Sequence, residues 1–151
     1  MSGKYKVKPK QFVPKNPEKY VGDPSNIICR SGIELRYMKF FDENPNILRY
    51  ASEEFHIPYL SPVDKKMHRY FPDFIVEVKT KTGEKKTFVI EVKSFSETQP
   101  PRKGKNTKRL LEETQTWAVN NSKWEHARNF CKKRGFHFMV LTEKEIKFKW
   151  S

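Results

Sequence analysis

The chain predicts an α/β domain, with a central mixed β-sheet flanked by helices. Three observations predict it. The segments read in order as helix, strands, helices and strand, the pattern of a sheet with helices packed on its faces. Residues 74–78 and 88–92 alternate in the manner of two strands, and Lys81-Thr82-Gly83 between them fits a three-residue hairpin loop with Gly83 in the left-handed position. The 151 residues are enough for one core.

The first 27 residues carry Lys4, Lys6, Lys8, Lys10, Lys15 and Lys19 among Pro9, Pro14, Pro17 and Pro24. They are expected as an extended basic arm that lies along phosphates or a protein partner, or as a solubilising tail. Residues 28–151 are expected to form the single domain. Ser31 to Phe41 reads as a helix, with Ile33, Tyr37, Phe40 and Phe41 near one stripe and Ser31 and Glu34 at capping-box spacing. Residues 47–50 and 55–60 are short strand candidates, followed by a turn at 61–64 and the hairpin over about 69–94. Residues 95–107 are expected as a mobile basic loop. A helix over 108–119 follows, then a second one opened by Ser122 and Glu125 and running through Lys133, with Gly135 at its end. Residues 136–141 read as a core strand and 146–150 as a final one.

The hairpin fixes a register. Phe74 faces Ile90 and Val76 faces Phe88, which makes one apolar face. On the other face Ile75 meets Val89, Glu77 meets Thr87, and Asp73 meets Glu91. Lys93 lies two residues beyond Glu91 and points the same way. A slip of one residue breaks both faces at once. The pairing that satisfies the apolar residues therefore gathers Asp73, Glu91 and Lys93.

Composition narrows the function. Charged residues are 32% and aromatics 14%, a globular mixture. The net charge of +13 predicts a polyanionic partner, most often nucleic acid, so a basic RNA-binding or structural protein is a rival reading. Cys29 and Cys131 form neither a metal-ligand spacing nor a disulfide framework and are expected as buried free thiols. The histidines, at 56, 68, 126 and 137, are scattered, which disfavours zinc. No apolar stretch approaches membrane-spanning length, and no secretory signal is expected.

Charges inside strand-like runs are costly to bury alone. Two carboxylates holding Mg²⁺, with a lysine beside them, make them compatible, because Mg²⁺ is a hard ion that prefers oxygen. Asp73 and Glu91 are the expected ligands, with the Val92 carbonyl as a further one and Mn²⁺ as a substitute ion. Phosphodiester hydrolysis needs such an ion to offset phosphate charge and an activated water, which Lys93 would serve. The plain alternative is an edge-strand ion pair of Lys93 with either carboxylate. Glu34 likewise reads as the capping partner of Ser31, or as a carboxylate carried from the first helix to the metal.

The set Glu34, Pro72-Asp73 and Glu91-Val92-Lys93 resembles the PD-(D/E)xK nuclease superfamily, whose fold is restriction-endonuclease-like. Arg30-Ser31, Ser52-Glu53-Glu54, Ile57-Pro58-Tyr59 and His68-Arg69-Tyr70-Phe71-Pro72-Asp73-Phe74 resemble two groups within it. These are the N-terminal endonuclease domain of TnsA transposase subunits and, more closely, the head-completion nucleases of T-even-type tailed phages. Ser94 stands where close relatives are expected to carry proline. The resemblance implies Glu34, Asp73, Glu91 and Lys93 as catalytic residues. It also implies a Mg²⁺-dependent DNA endonuclease with little sequence specificity, acting as a filled phage head is finished. Phage head or portal proteins are then expected partners, a homodimer stays open, and the setting is the virion or the host cytoplasm rather than a secreted one. A non-catalytic protein that binds DNA ends or plugs the head is the alternative.

DNA contacts are expected from His68 and Arg69 and from the basic loop residues Arg102, Lys103, Lys105, Lys108 and Arg109, each weighed against ordinary surface charge. Glu53 reads as a strand-end charge or as a neighbour of the metal, Gln115 and Lys123 as solvated helix positions or as the polar helper that the resemblance implies on the later helices, and Trp117, Trp124 and Trp150 as core rather than base-stacking platforms.

Overall fold

The structure is a computed structural model, and it describes residues 10–53, 55–102, 104 and 107–147. The chain order is β1 (Lys10–Phe12), β2 (Ile27–Cys29), α1 (Gly32–Glu43), β3 (Ile47–Ser52), β4 (Ile57–Leu60), β5 (Met67–Tyr70), β6 (Phe74–Lys79), β7 (Lys85–Val92), α2 (Thr107–Arg134) and β8 (His137–Leu141). Strands β3, β6, β7 and β8 form a sheet in that spatial order. The first two pairings are antiparallel and β8 runs parallel to β7. Joining parallel neighbours needs a crossover, and α2 is that crossover. Strands β1 and β2 form one small ribbon and β4 and β5 another.

The β6–β7 register is the one expected, from Phe74↔Ile90 through Lys79↔Lys85. Gly83 closes the loop at φ 86°, in the left-handed region, and its N–H donates to the Thr80 carbonyl at 2.9 Å. Alternation along the strands then sorts side chains to two faces. Phe74, Val76, Ile90, Val92 and Leu141 pack with Tyr37, Met38 and Phe41 of α1. The Phe41 and Phe74 rings meet edge to face with centroids 5.1 Å apart. Opposite, Ile57, Tyr59 and Tyr70 of the β4–β5 ribbon pack with Trp124 and Ala127 of α2, joined by Phe138 and Val140. Helices thus cover both faces, and Cys29 and Cys131 are buried free thiols.

Helix α1 starts as the sequence indicates. The Ser31 hydroxyl accepts the Glu34 N–H at 3.1 Å. Its other end is closed from outside the expected domain. The Lys19 ammonium donates to the carbonyls of Phe41, Asp42 and Asn44 at 2.7, 2.9 and 2.9 Å, answering acceptors that a helix terminus leaves unpaired. Asp42, 1% exposed, accepts the Lys15 and Asn16 N–H groups and the Tyr50 hydroxyl. Tyr20 is buried edge-on to Tyr50, with centroids 5.3 Å apart.

These contacts correct the reading of an extended arm. Residues 1–9 lie outside the described residues, but from Lys10 onward the segment is packed along α1, and Phe12 and Tyr20 enter its core.

Three other expectations change. The 108–119 and 122–133 helices are one continuous α2, because no glycine or proline interrupts it and Ser122 does not cap. Its hydroxyl instead donates sideways to the Leu60 carbonyl at 2.8 Å, tying α2 to β4. Residues 69–70, read as the start of the long hairpin, belong to β5 and pair with β4 instead, and Phe71-Pro72 separates them from β6. Residues 145–147 form a short 3-10 turn where a last strand was expected, and residues 148–150 of that segment, Trp150 included, lie outside the described residues.

Candidate active site

Asp73 sits one residue before β6, directly across from the end of β7, where Glu91 is 6% exposed on the α2 side of the sheet. The Val92 N–H donates to Asp73 Oδ2 at 2.7 Å and fixes that carboxyl group. Burial holds the Asp73 carboxyl well above the usual carboxylate range, and the charge of Glu91, within hydrogen-bonding reach, adds to the shift. The Val92 N–H and the Lys93 ammonium oppose it without cancelling it. Two acids held together in this way suit a shared cation, which would favour the ionised form of both.

Two ammonium groups stand alongside. Lys93, half-buried, lies 3.9 Å from Glu97, and its charge also acts on Asp73. The alternative reading of Lys93 as the ion-pair partner of Asp73 or Glu91 is not what the structure shows, since the pair it makes is with Glu97. Lys123 comes from α2 and lies 5.7 Å from the ring centroids of both Tyr59 and Tyr70. Burial lowers its pKa, the Glu91 charge opposes that, and Lys93 reinforces it. The Tyr70 hydroxyl is buried beside the Glu91 carboxylate. Burial, then Glu91, then Asp73 push its ionisation upward, so the phenol keeps its proton.

Glu34 reaches the cluster from the first turn of α1. The capping reading of it holds: its backbone N–H meets Ser31, while its carboxylate accepts the Arg30 N–H at 3.3 Å. Burial first, and Asp73 second, raise its carboxyl to about 7, with Glu53 adding to the rise. Glu53, at φ 52°, pairs with Arg30 at 2.6 Å. Among the described residues no three His, Cys, Asp or Glu side chains are gathered as a ready metal-binding group. Glu34 therefore bears on Asp73 through charge, and the close pair is Asp73 with Glu91. That pair fits Mg²⁺ or Mn²⁺, which take hard oxygen ligands and commonly keep several waters beside one or two carboxylates.

A cleft of about 510 Å³ opens at Lys93 and Lys123, lined also by Tyr59, Asp64, His68 and Gln115, with neither Asp73 nor Glu91 in its wall. His68 Nε2 is 2.6 Å from Asp64 Oδ2. Arg69, the next residue on β5, is exposed and stacks over Phe71 at 5.9 Å. Arg102 and Lys108 are exposed, and Arg109 pairs with Glu113 at 2.9 Å. Lys103 and Lys105 lie outside the described residues.

Tyr70 is the member that sequence reading passed over, and Lys123, weighed as a polar helper, reads instead as solvated charge. The signal for Lys123 was available: it lies three residues after Asn120 and four before Ala127, both buried, so it belongs to the inward stripe of α2. Tyr70 read simply as a buried strand aromatic.

A sheet of this connectivity, with paired acids at the end of its hairpin and lysines beside them, is the architecture of a restriction-endonuclease-like nuclease domain. Residues 44–143 match the family described as TnsA-like endonuclease N terminal, and the chain belongs to that family. Over 138 residues it is 41% identical to the head completion nuclease of Enterobacteria phage T4, a match that spans 88% of this chain and 89% of that protein.

Proposed function

We propose that this chain is a Mg²⁺-dependent DNA endonuclease that hydrolyses phosphodiester bonds with little sequence preference during completion of a phage head. The observation that carries the reading is the Asp73–Glu91 pair, two buried acids side by side with Lys93 and Lys123 next to them. The head-completion setting rests on the relationship to the T4 nuclease.

Asp73 and Glu91 would hold the ion, with the Val92 carbonyl as a third oxygen. Bound there, the ion supplies charge neutralisation at the phosphate and a more acidic water. Lys93 holds the attacking water and offsets charge that develops on the phosphorane oxygens. Lys123 adds a second positive charge from α2, where its partial burial strengthens its action. The Tyr70 phenol keeps its proton beside the acids and offers it as a donor. Glu34 contributes negative charge to the metal-binding end once ionised. The basic surface, with Arg69, Arg102 and Lys108 exposed, binds backbone phosphates, which carry no base information.

Supercoiled plasmid incubated with Mg²⁺ or Mn²⁺ tests this. Wild type should nick or linearise it, and folded Asp73→Ala and Lys93→Ala should not. Equal cutting by all three would move the site elsewhere. An inert wild type would favour the end-binding or head-plugging alternative.

A further inference from the structure

The β4–β5 ribbon is built as an arm. Its inward residues Ile57, Tyr59 and Tyr70 are buried, and Ser122 of α2 anchors it through the Leu60 carbonyl. Its tip is exposed and apolar: Leu60 is 47% exposed, Val63 51% and Met67 62%. Leu60 and Met67 are direct cross-strand partners, so their side chains form one exposed ridge. A monomer gains nothing by presenting three large apolar side chains within eight residues of sequence at the end of a ribbon.

The loop that presents them is held firmly. Ser61 and Lys66 exchange a backbone bond at 2.9 Å, Lys65 N–H returns to the Ser61 carbonyl at 3.0 Å, and the Asp64 carboxylate accepts the Lys66 N–H at 2.9 Å. Lys65 sits at φ 61°, a conformation that side-chain-bearing residues rarely adopt. The geometry keeps the Lys65 and Lys66 side chains, with Arg69, exposed next to the apolar ridge. The ribbon loop's own acid, Asp64, accepts the Lys66 backbone N–H and lies against His68, while Glu97 and Glu112 line the cleft that the ribbon borders. The same ribbon supplies Tyr59, Val63, Asp64 and His68 to the wall of the cleft that holds Lys93 and Lys123.

We infer that the β4–β5 ribbon is a duplex-engaging arm, with Lys65, Lys66 and Arg69 on phosphates and the Val63, Leu60 and Met67 tip pressed between base steps. Its occupant is double-stranded DNA beside the point of cleavage. Charge complementarity and continuity with the cleft point to this, and apolar side chains are the usual wedges for unstacking a step. The inference rests on the DNA-endonuclease reading and extends it: the arm selects DNA that is bent or readily unstacked, which yields preference by structure without base reading.

The test measures binding of the full chain to a labelled duplex carrying 2-aminopurine, in EDTA so that nothing is cut. Wild type should raise the 2-aminopurine fluorescence of the contacted step. Val63→Ser/Met67→Ser should abolish that rise and weaken binding at least about fivefold, and a pre-unstacked mismatch should restore most of the loss. Lys65→Ala/Lys66→Ala should lower the slope of log affinity against log salt by about two while the fluorescence rise persists. Circular dichroism and the unfolding midpoint check that each variant folds. Tip variants that bind duplex and raise fluorescence as wild type does would overturn the inference and leave the ridge as a protein-docking face. Because the readout is binding without metal, an inert nuclease whose tip variants still lose the fluorescence rise would sink the catalytic reading alone.

Discussion

The Lys123 ammonium and the Tyr70 ring face each other at 5.7 Å, and Tyr70 turns its buried hydroxyl toward the Glu91 and Asp73 carboxylates. A cation on α2 is thereby joined to acids just before β6 and on β7 through an aromatic ring of the ribbon. Lys123→Met should keep the fold and lower kcat about a hundredfold, as expected for removal of one preorganised charge from a catalytic site, with a smaller change in KM. Lys123→Arg should recover part of the rate. Steady-state cutting of a labelled duplex measures both, and a Lys123→Met enzyme within about twofold of wild type would remove Lys123 from the mechanism.

Asp73 predicts an unusual stability profile. Its folded pKa is raised, so the protonated carboxyl is the form the metal-free fold prefers. The associated stabilisation is present below the unfolded carboxylate range and is lost as pH rises through the raised folded value. Above that value the ionised acid strains against Glu91. Asp73→Asn should therefore raise the unfolding midpoint of the metal-free protein by about a few degrees at pH 8, with the gain shrinking toward about pH 4. Mg²⁺ should raise the midpoint of the wild type at pH 8 and leave Asp73→Asn unmoved. Calorimetry in EDTA and in Mg²⁺ decides this, and a variant that is less stable at pH 8 contradicts it.

Glu34, with its carboxyl near 7, predicts how metal affinity varies with pH. Below that value it is neutral and adds nothing to the field at Asp73. Above it, its charge draws a cation. Glu34→Gln should weaken Mn²⁺ binding about fivefold at pH 8 and hardly at all at pH 6. Titration calorimetry across that range is the measurement. A uniform loss at both pH values would show that Glu34 acts through structure.

Lys19 predicts a stability effect outside the segment that matches the family. Its ammonium answers three carbonyls at the end of α1. Lys19→Met should cost about 1–2 kcal/mol in urea unfolding while leaving the metal site intact. An unchanged midpoint would mean that water closes the helix equally well.

Local chemistry was the legible part of this chain. The β6–β7 register followed from alternation and from a glycine suited to one turn, and that register alone put Asp73 opposite Glu91. The cap of α1 was equally readable, since Ser31 meets Glu34 within one turn. What depended on distant partners was not. Ser122 has the spacing of a cap, but its hydroxyl serves Leu60, sixty-two residues away in sequence. Phe12 and Tyr20 lie in a lysine- and proline-rich stretch that reads as a tail until α1 and β3 are there to receive them. Lys123 looked like solvated charge because only the folded ribbon brings Tyr59 and Tyr70 beneath it.

The bond from the Val92 amide to Asp73 Oδ2 gives this site its own spectroscopic probe. That proton's chemical shift must follow whatever the carboxyl oxygen does, whether it takes up hydrogen or grips an ion. A single backbone resonance, two residues from Ile90 at the sheet's centre, would thus register occupancy of the acid pair before any strand of DNA is offered.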